Sequence, residues 1–280
     1  MHPTYTYIKQ SLAGIYSDSE ASALAKWILT DVFCLSTIDL YADKDMNFST
    51  KECAKLEDIL SRLKRYEPLQ YILGKTTFCG LSFEVAPGVL IPRPETEELV
   101  DWIVSDYADE SAVRILDVGT GSGCIPVALA KRLTNSRVTS WDVSSEALAI
   151  AERNKRLNGA EITLAQVDIL STTLPEIYTD ILVSNPPYIT EKERSDMERN
   201  VLDWEPELAL FVPDNDPLLF YRRIAEVGCN ILSSKGVLYY EINRAYGRET
   251  VELLQQMGYK SVELRKDQYG NDRMIKASRP

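Results

Sequence analysis

The chain contains 280 residues, 45% of them hydrophobic and 26% charged, an ordinary composition for a soluble globular protein of one or two domains. Its formal net charge of −11 argues against a protein that wraps nucleic acid and favours a basic protein as partner. No apolar stretch approaches the ~20 residues that span a bilayer. The first residues lack the pattern of a signal peptide, so we expect a cytoplasmic protein without a membrane partner.

The single histidine, His2, lies at a terminus that we expect to be frayed. The chemistry must therefore proceed without a histidine base, a catalytic triad or a histidine-ligated metal. The cysteines have neither metal-ligand nor redox spacing. We interpret them as reduced thiols that act as small apolar residues: Cys34, Cys53, Cys79, Cys124 and Cys229. No metal site is predicted.

Two amphipathic patterns predict helices in the first 75 residues. Ser17 and Ser19 can cap the first helix, and Ser49 and Thr50 can cap the second. Pro68 limits how far the second helix can extend. The apolar positions at helical spacing are Leu24, Ile28, Leu29, Val32 and Phe33 in the first and Cys53, Leu56, Ile59, Leu60 and Leu63 in the second. We predict a helical domain over residues 1–75 that docks the substrate, with a purely stabilising cap as the alternative.

Short strands around Gly80, ended by Pro87 and Gly88, predict a β-hairpin linker over residues 76–90. Acidic residues after Pro94 then open a helix. Further along, strands are predicted at 114–118, 138–141, 162–165, 180–184, 237–242, 261–264 and 274–277, and helices at 124–133, 145–157, 217–232 and 247–256. This alternation predicts an α/β domain over residues 91–280, with a parallel sheet and helices on both faces.

A glycine-rich turn follows the first strand of this domain and precedes a helix. Its sequence is Gly119-Thr120-Gly121-Ser122-Gly123. The glycines let a ligand approach the backbone, and the start of the helix offers free N–H groups. Asp142, at the end of the next strand, can accept hydrogen bonds from both hydroxyls of a ribose. The turn could be purely structural, or it could bind NAD or S-adenosylmethionine.

The Gly-x-Gly-x-Gly spacing differs from the dinucleotide fingerprint and resembles motif I of the class I S-adenosylmethionine-dependent methyltransferases. The resemblance implies that the loop passes the methionine part of the cofactor and that Asp142 binds its ribose. It also implies that Asp168, after the third strand, binds the adenine amino group and that Ile169 packs on the adenine ring. A surface acid at a strand end is the alternative for Asp168.

The segment Ser184-Asn185-Pro186-Pro187-Tyr188 directly follows an apolar strand. Each proline holds the residue before it in extended geometry. The Asn185 side-chain oxygen and the Pro186 carbonyl thereby become two fixed acceptors, and Tyr188 adds an aromatic wall. Two acceptors suit a planar NH2 group, which is a poor nucleophile until it is oriented. Adenine, guanine and glutamine all carry such a group, and the alternative is a turn with no catalytic role.

Several other segments are distinctive as a set. They are Arg65-Tyr66-Glu67-Pro68-Leu69-Gln70-Tyr71-Ile72-Leu73-Gly74, then Phe78, Leu90-Ile91-Pro92-Arg93-Pro94-Glu95-Thr96-Glu97, Val183-Ser184-Asn185-Pro186-Pro187-Tyr188-Ile189, Glu205-Pro206, Ala209-Leu210 and Glu241. With the glycine-rich loop, they resemble the N5-glutamine methyltransferases of release factors, the HemK/PrmC type. The resemblance covers nearly the whole chain and is weakest before about residue 60.

This resemblance implies a Rossmann-like, seven-stranded methyltransferase domain joined by a β-hairpin to a small helical N-terminal domain. It implies methyl transfer from S-adenosyl-L-methionine, with S-adenosyl-L-homocysteine as product, to the glutamine of the Gly-Gly-Gln loop of release factors. The matching cofactor positions are Gly119, Thr120, Gly121, Ser122, Gly123, Asp142, Asp168, Ile169 and Asn185, and the matching glutamine-binding positions are Asn185, Pro186, Pro187 and Tyr188. We predict Asn185, Pro186 and Tyr188 as the catalytic residues.

A competing hypothesis is an N6-adenine or N2-guanine methyltransferase of nucleic acid, which shares the Asn-Pro-Pro-Tyr loop. The acidic charge and the lack of an obvious basic arm count against it. An NAD oxidoreductase or an inactive methyltransferase-like binding module would also be compatible with the glycine-rich loop. We expect a monomer that acts on release factors and forms no stable complex with nucleic acid.

Overall fold

The computed structural model describes residues 3–41, 48–110 and 112–280. The chain divides into two compact units: unit 1 comprises Met1–Leu73 with Arg199–Trp204, and unit 2 comprises Gly74–Glu198 with Glu205–Pro280. His2, expected at a frayed terminus, lies outside the described residues. Among the helices of the described residues, none is both long and apolar enough to cross a membrane.

The helices are, in chain order, α1 (Pro3–Ser11), α2 (Asp18–Trp27), α3 (Thr37–Tyr41), α4 (Thr50–Leu63), α5 (Leu69–Leu73), α6 (Pro94–Tyr107), α7 (Cys124–Arg132), α8 (Ser145–Leu157), α9 (Arg199–Leu202), α10 (Glu207–Leu210), α11 (Leu219–Ile231) and α12 (Gly247–Gln256). The strands are β1 (Lys75–Phe78), β2 (Leu81–Glu84), β3 (Arg114–Val118), β4 (Arg137–Asp142), β5 (Ile162–Gln166), β6 (Thr179–Ser184), β7 (Ile189–Thr190), β8 (Phe211–Val212), β9 (Leu232–Glu241), β10 (Lys260–Lys266) and β11 (Asp272–Ser278).

Unit 1 is a small helical unit with its own apolar core. Two of the predicted caps form: Ser17 accepts from the N–H of Glu20 at the start of α2, and Ser49 forms a capping box with Glu52 at the start of α4. Ser19 and Thr50, the other two candidates, lie inside these helices. The buried predicted positions are Ile28, Leu29, Leu56, Ile59, Leu60 and Leu63. Cys53, predicted on the apolar face of α4, is instead exposed: it lies in the first turn of the helix, before the first buried position, Leu56.

Unit 2 contains the antiparallel hairpin of β1 and β2 and a seven-stranded sheet of order β10-β11-β9-β6-β3-β4-β5. The prediction of an α/β domain with a seven-stranded sheet is confirmed. The sheet, predicted as parallel, is mixed, because β11 runs antiparallel to both of its neighbours. A short turn, closed by the Asp267 N–H on the Asn271 carbonyl, connects β10 to β11. A connection this short can join only antiparallel strands.

Helices cover both faces of the sheet, as predicted. On one face Leu99 of α6 and Leu129 of α7 pack in the same buried cluster as Ile115 of β3. On the other face Ile224 of α11 packs in a cluster with Leu116 of β3. Adjacent residues of β3 therefore point into opposite cores, which explains why this strand is apolar on both faces apart from Arg114 and the buried Asp117.

The central strand, β3, marks the place where the chain changes direction across the sheet. From β3 the chain continues to β4 and β5 on one side, whereas β6 pairs with the other side of β3 and is followed by β9. Ligands of open α/β sheets bind at such a switch point, in the crevice beyond the carboxyl ends of the strands. The loops that follow β3 and β6 both enter this crevice.

Candidate active site

A cavity of about 520 Å³ lies beyond the carboxyl ends of β3, β4 and β6, within the 300–1,000 Å³ usual for small-molecule sites. All of its lining residues belong to unit 2. The predicted site residues that line it are Gly119, Thr120, Gly121, Ser122, Asp142, Asp168, Ile169, Asn185, Pro186 and Pro187. Residues from four separate segments of the chain are thereby brought to one cavity.

The glycine-rich loop turns tightly between β3 and α7. The N–H groups of Gly119 and Thr120 both donate to the carbonyl of Trp141, at 2.8 and 3.1 Å. Gly123 has a φ of 82°, and a Cβ there would lie 3.1 Å from Cβ of Ala151 in α8. A residue with a side chain would therefore meet both backbone strain and a close neighbour. The loop owes its path to glycine at this position.

Asp142 ends β4 and is held by the backbone around it. Its Oδ2 accepts from the N–H of Gly121 and its Oδ1 from the N–H of Ser144, both at 2.8 Å. Burial raises the pKa of Asp142, while these N–H groups act in the opposite direction. Each carboxylate oxygen can accept more than one hydrogen bond, so the side chain keeps capacity for a ligand hydroxyl.

Asp168 and Ile169 lie at the same cavity, after β5. Asp168 is exposed, and its Oδ1 accepts from the N–H of Leu170 at 2.9 Å. Ile169 is only 8% exposed, and its carbonyl accepts from Nε of Arg223 at 2.9 Å. The acid is thus open to solvent, whereas the apolar residue beside it is fixed.

Asn185 and Pro186 follow β6, next to the glycine-rich loop. Ser184 anchors this strand end through a 2.6 Å hydrogen bond from its Oγ to the carbonyl of Val118. The Asn185 carbonyl lies 3.7 Å from where a Cβ on Gly119 would be. Among the described residues, no hydrogen bond reaches Oδ1 of Asn185 or the carbonyl of Pro186. The cavity wall thus carries two acceptors without a protein donor.

Tyr188 occupies a different position from the rest of its loop. Neither it nor Gly123 is among the described residues that line the cavity. Its hydroxyl donates to Oε1 of the buried Glu241 at 3.1 Å, and its carbonyl accepts from Nδ2 of Asn243 at 3.0 Å. Burial and the charge of Glu241 raise the pKa of Tyr188, so its hydroxyl stays a donor. Through Glu241 and Asn243, Tyr188 holds the loop that contains Asn185 in place.

A buried carboxylate beneath the glycine-rich loop had no predicted role. Asp117, in β3, is fully buried and accepts from Oγ of Ser140, which lies 2.5 Å from Oγ1 of Thr120. Its Oδ1 has no hydrogen-bond partner in the described part of the chain. Burial raises the pKa of Asp117 to about 7, although the bond from Ser140 lowers it. A cationic ligand nearby would favour its charged form.

The charge of the cavity wall is negative. Arg93 is the single cation among the described residues of the lining, and it forms an ion pair with Glu205, which is 5% exposed. Glu205 also accepts from the N–H of Ile91 at 3.0 Å. The carboxylates in the lining are Asp142, Glu146, Asp168 and Glu207. Such a wall favours a cationic or neutral ligand over one that carries phosphate.

Residues 97–203 match the family model described as the methyltransferase small domain, and residues 4–74 match the PrmC N-terminal domain. A crystal structure of a methyltransferase from Pyrococcus furiosus resembles the chain with a TM-score of 0.54 and 17% identity, over 82% of this chain and 98% of that one. At this identity the likeness shows the fold alone, and it agrees with the predicted methyltransferase fold.

The curated relatives match over far more of the sequence. The release factor glutamine methyltransferase of Bacteroides thetaiotaomicron is 50% identical over 280 residues, which is the full length of both chains. The protein of the same name from Flavobacterium psychrophilum is 47% identical over 98% of this chain and 97% of its own. These matches confirm the family resemblance predicted from the sequence. The chain belongs to the release factor glutamine methyltransferase family.

Proposed function

We propose that this protein transfers a methyl group from S-adenosylmethionine to the side-chain amide nitrogen of the glutamine in the Gly-Gly-Gln loop of peptide chain release factors. The observation that carries the proposal is the pair of acceptors without protein donors, Asn185 Oδ1 and the Pro186 carbonyl, in the wall of the cavity. The name of the relatives, release factor glutamine methyltransferase, supports the same substrate.

The cavity fits S-adenosylmethionine in charge and in hydrogen bonding. The cofactor carries a sulfonium, an ammonium and a carboxylate, so it is a net cation, and the lining carries four carboxylates and one already paired cation. We assign the ribose hydroxyls to Asp142 and the methionine part to the loop at Gly119 and Gly121. We assign the adenine to Asp168 and Ile169. When bound, the cofactor supplies an electrophilic methyl group, so neither a metal nor a strong base is required of the protein.

Asn185 and Pro186 would act on the glutamine amide. The lone pair of an amide nitrogen is delocalised, and the NH2 group must be turned so that this lone pair faces the methyl group. Two fixed acceptors hold both N–H bonds and so set that orientation. Because the acceptors carry partial negative charge, they also stabilise the positive charge that develops on the nitrogen. Once methylated, this nitrogen is strongly acidic and releases one of its two protons to solvent, which leaves the neutral N-methyl amide. Pro187 restricts Pro186, so the position of its carbonyl costs little entropy.

The charge of the cavity favours a glutamine over a nucleotide as substrate. A nucleic-acid substrate brings phosphates, which proteins bind with lysine, arginine or exposed N–H groups. The single arginine of the described lining, Arg93, is neutralised by Glu205. The same argument disfavours NAD, which carries a pyrophosphate. A neutral amide imposes no such demand on the cavity wall.

We further propose that unit 1 docks the release factor. It has its own core, which includes Ile8, Ile28 and Leu60, and it matches a family-specific N-terminal domain. A separately packed unit that contributes no lining residue to the cavity is available for substrate recognition.

The assignment of Asp142 predicts a loss of cofactor affinity. Asp142→Ala should weaken S-adenosylmethionine binding by ~1.5–3 kcal/mol, because hydrogen bonds to a charged group are lost. Isothermal titration calorimetry of wild type and variant measures the difference. Glu161→Ala, which removes an exposed carboxylate just before β5, serves as the matched control and should leave the affinity unchanged. An unaltered dissociation constant for Asp142→Ala would remove Asp142 from the cofactor site.

The assignment of Asn185 predicts a loss of turnover. Asn185→Ala should lower kcat on a release factor by ~10²–10³, the usual cost of removing one preorganised polar contact. Cofactor affinity should change much less, since most of its proposed contacts lie elsewhere. Asn185→Asp keeps an acceptor and should retain more activity than Ala. Asn230→Ala, on the exposed side of α11, is the control. Near wild-type turnover by Asn185→Ala would refute the proposed catalytic loop.

The docking role of unit 1 predicts a separation of two affinities. A chain without residues 1–73 should bind S-adenosylmethionine as the full chain does, because every lining residue of the cavity remains. Its KM for a release factor should rise. Calorimetry with the cofactor establishes that the shortened protein is folded, and steady-state methylation gives the KM. Equal catalytic efficiency of the two proteins would show that unit 1 has no docking role.

A further inference from the structure

Asn185, in the cavity wall, is the first member of a buried chain of hydrogen bonds whose second member, Thr96, also lines the cavity. Its Nδ2 donates to Oγ1 of Thr96 at 3.3 Å, and Thr96 donates to Oε2 of Glu241 at 2.5 Å. The other oxygen of Glu241 accepts from the Tyr188 hydroxyl at 3.1 Å. Thr96 is 2% exposed and Glu241 is 1% exposed. This chain of hydrogen bonds therefore links the cavity wall to the buried carboxylate of Glu241.

Sheet register and helix geometry bring these residues together. β6 and β9 run parallel, with Ser184 opposite Tyr240. Asn185, which directly follows β6, therefore lies at the same level as Glu241, the last residue of β9. Thr96 lies in the first turn of α6, two residues after Pro94. Proline at this first helical position fixes where the helix begins, and hence where Thr96 projects.

The chemistry of the three groups fixes the direction of each hydrogen bond. A hydroxyl has one proton, and a carboxylate has none. Thr96 gives its proton to Glu241, so it can only accept from Asn185. The Asn185 amide must then turn its NH2 toward Thr96, which leaves Oδ1 on the side that faces away from Thr96. Among the described residues, that oxygen has no donor.

Burial raises the pKa of Glu241, and three neighbours oppose that rise: hydrogen bonds from Thr96 and Tyr188 and the positive charge of Arg273. Both hydroxyls direct their protons at the carboxylate. A neutral side chain in its place could donate to Thr96 instead. Thr96 would then be free to donate to Asn185, and the direction of the whole chain of bonds would reverse.

We propose that Thr96 and Glu241 are positioning residues that set the orientation of the Asn185 amide, so that its oxygen and not its NH2 faces the substrate. The inference deepens the proposed function and rests on it, because orientation matters only if Asn185 accepts from a substrate NH2. With the amide reversed, the NH2 of Asn185 would face the NH2 of the glutamine. Two donors would then oppose each other where an acceptor is needed.

A double-mutant cycle separates this role from a merely structural one. Thr96→Val is nearly isosteric with threonine but has no hydroxyl. It should lower kcat by about 10- to 100-fold, as loss of a partner that orients a functional ligand does. The KM for S-adenosylmethionine should not change, and the thermal unfolding midpoint should fall equally in both backgrounds, because the buried Glu241 loses one hydrogen bond. In an Asn185→Ala background, Thr96→Val should cause no further loss. Thr96→Ser, which restores the hydroxyl, should recover most of the turnover.

Glu241→Gln tests the direction of the bonds, since it keeps the shape of the side chain and can donate to Thr96. It should lower kcat as Thr96→Val does. An equal loss from Thr96→Val in the wild-type and Asn185→Ala backgrounds, or full activity of Glu241→Gln, would overturn the inference.

If the wild-type protein does not methylate a release factor, the proposed function fails. The orientation of the Asn185 amide can then still be measured by NMR. The signals of its side-chain NH2 group should shift in Thr96→Val and Glu241→Gln but not in Thr96→Ser. The absence of a shift in the first two variants would overturn the inference about orientation.

Discussion

The parallel pairing of β3 with β6 is the constraint on which the site depends. Val118 pairs with Ser184, and the Ser184 hydroxyl donates to the Val118 carbonyl at 2.6 Å. The two loops that follow these strands must therefore start side by side at the switch point of the sheet. One loop is rich in glycine and the other in proline. The first can approach a ligand closely, and the second holds its acceptors still.

Two buried carboxylates, Glu205 and Glu241, and the half-buried Asp142 connect this edge of the sheet to the surrounding chain. Asp142 holds the glycine-rich loop, Glu205 holds Arg93 and Ile91, and Glu241 holds Thr96 and Tyr188. A buried charge is costly unless it is paired or hydrogen-bonded. Each of these three accepts at least two bonds, so each fixes the geometry of the segments that donate to it. Fold and site are thus stabilised by the same contacts.

The sequence predicted those parts of the site that a short, continuous segment of the chain forms. The turn at Gly119 and the loop at Asn185 each follow an apolar strand, and their positions at one edge of a sheet could be inferred from that pattern. The direction of every strand could not be inferred, because β11 follows β10 after a short turn and therefore runs antiparallel to it. The role of Tyr188 was also beyond a local pattern, since its partner Glu241 lies 53 residues away.

Thr96 illustrates the same limit most clearly. It and Glu241 both belong to segments that resemble the family, yet their hydrogen bond joins residues separated by 145 positions. Only the register of β6 with β9 brings Glu241 to the level of Asn185. Sequence motifs therefore identified Asn185 and the glycine-rich loop, and the three-dimensional structure was needed to show that Thr96 and Glu241 are hydrogen-bonded in series with Asn185.

The central claim, that the acceptors of this cavity hold a glutamine side chain of a release factor for methylation, is tested most directly by tandem mass spectrometry. A purified release factor is incubated with this protein and S-adenosylmethionine carrying a labelled methyl group, with ribosomal RNA and DNA in parallel reactions. We expect one labelled methyl group, on the side-chain amide of the glutamine in the Gly-Gly-Gln loop, and none on nucleic acid. A label on nucleic acid bases, or on any other atom of the release factor, would contradict it.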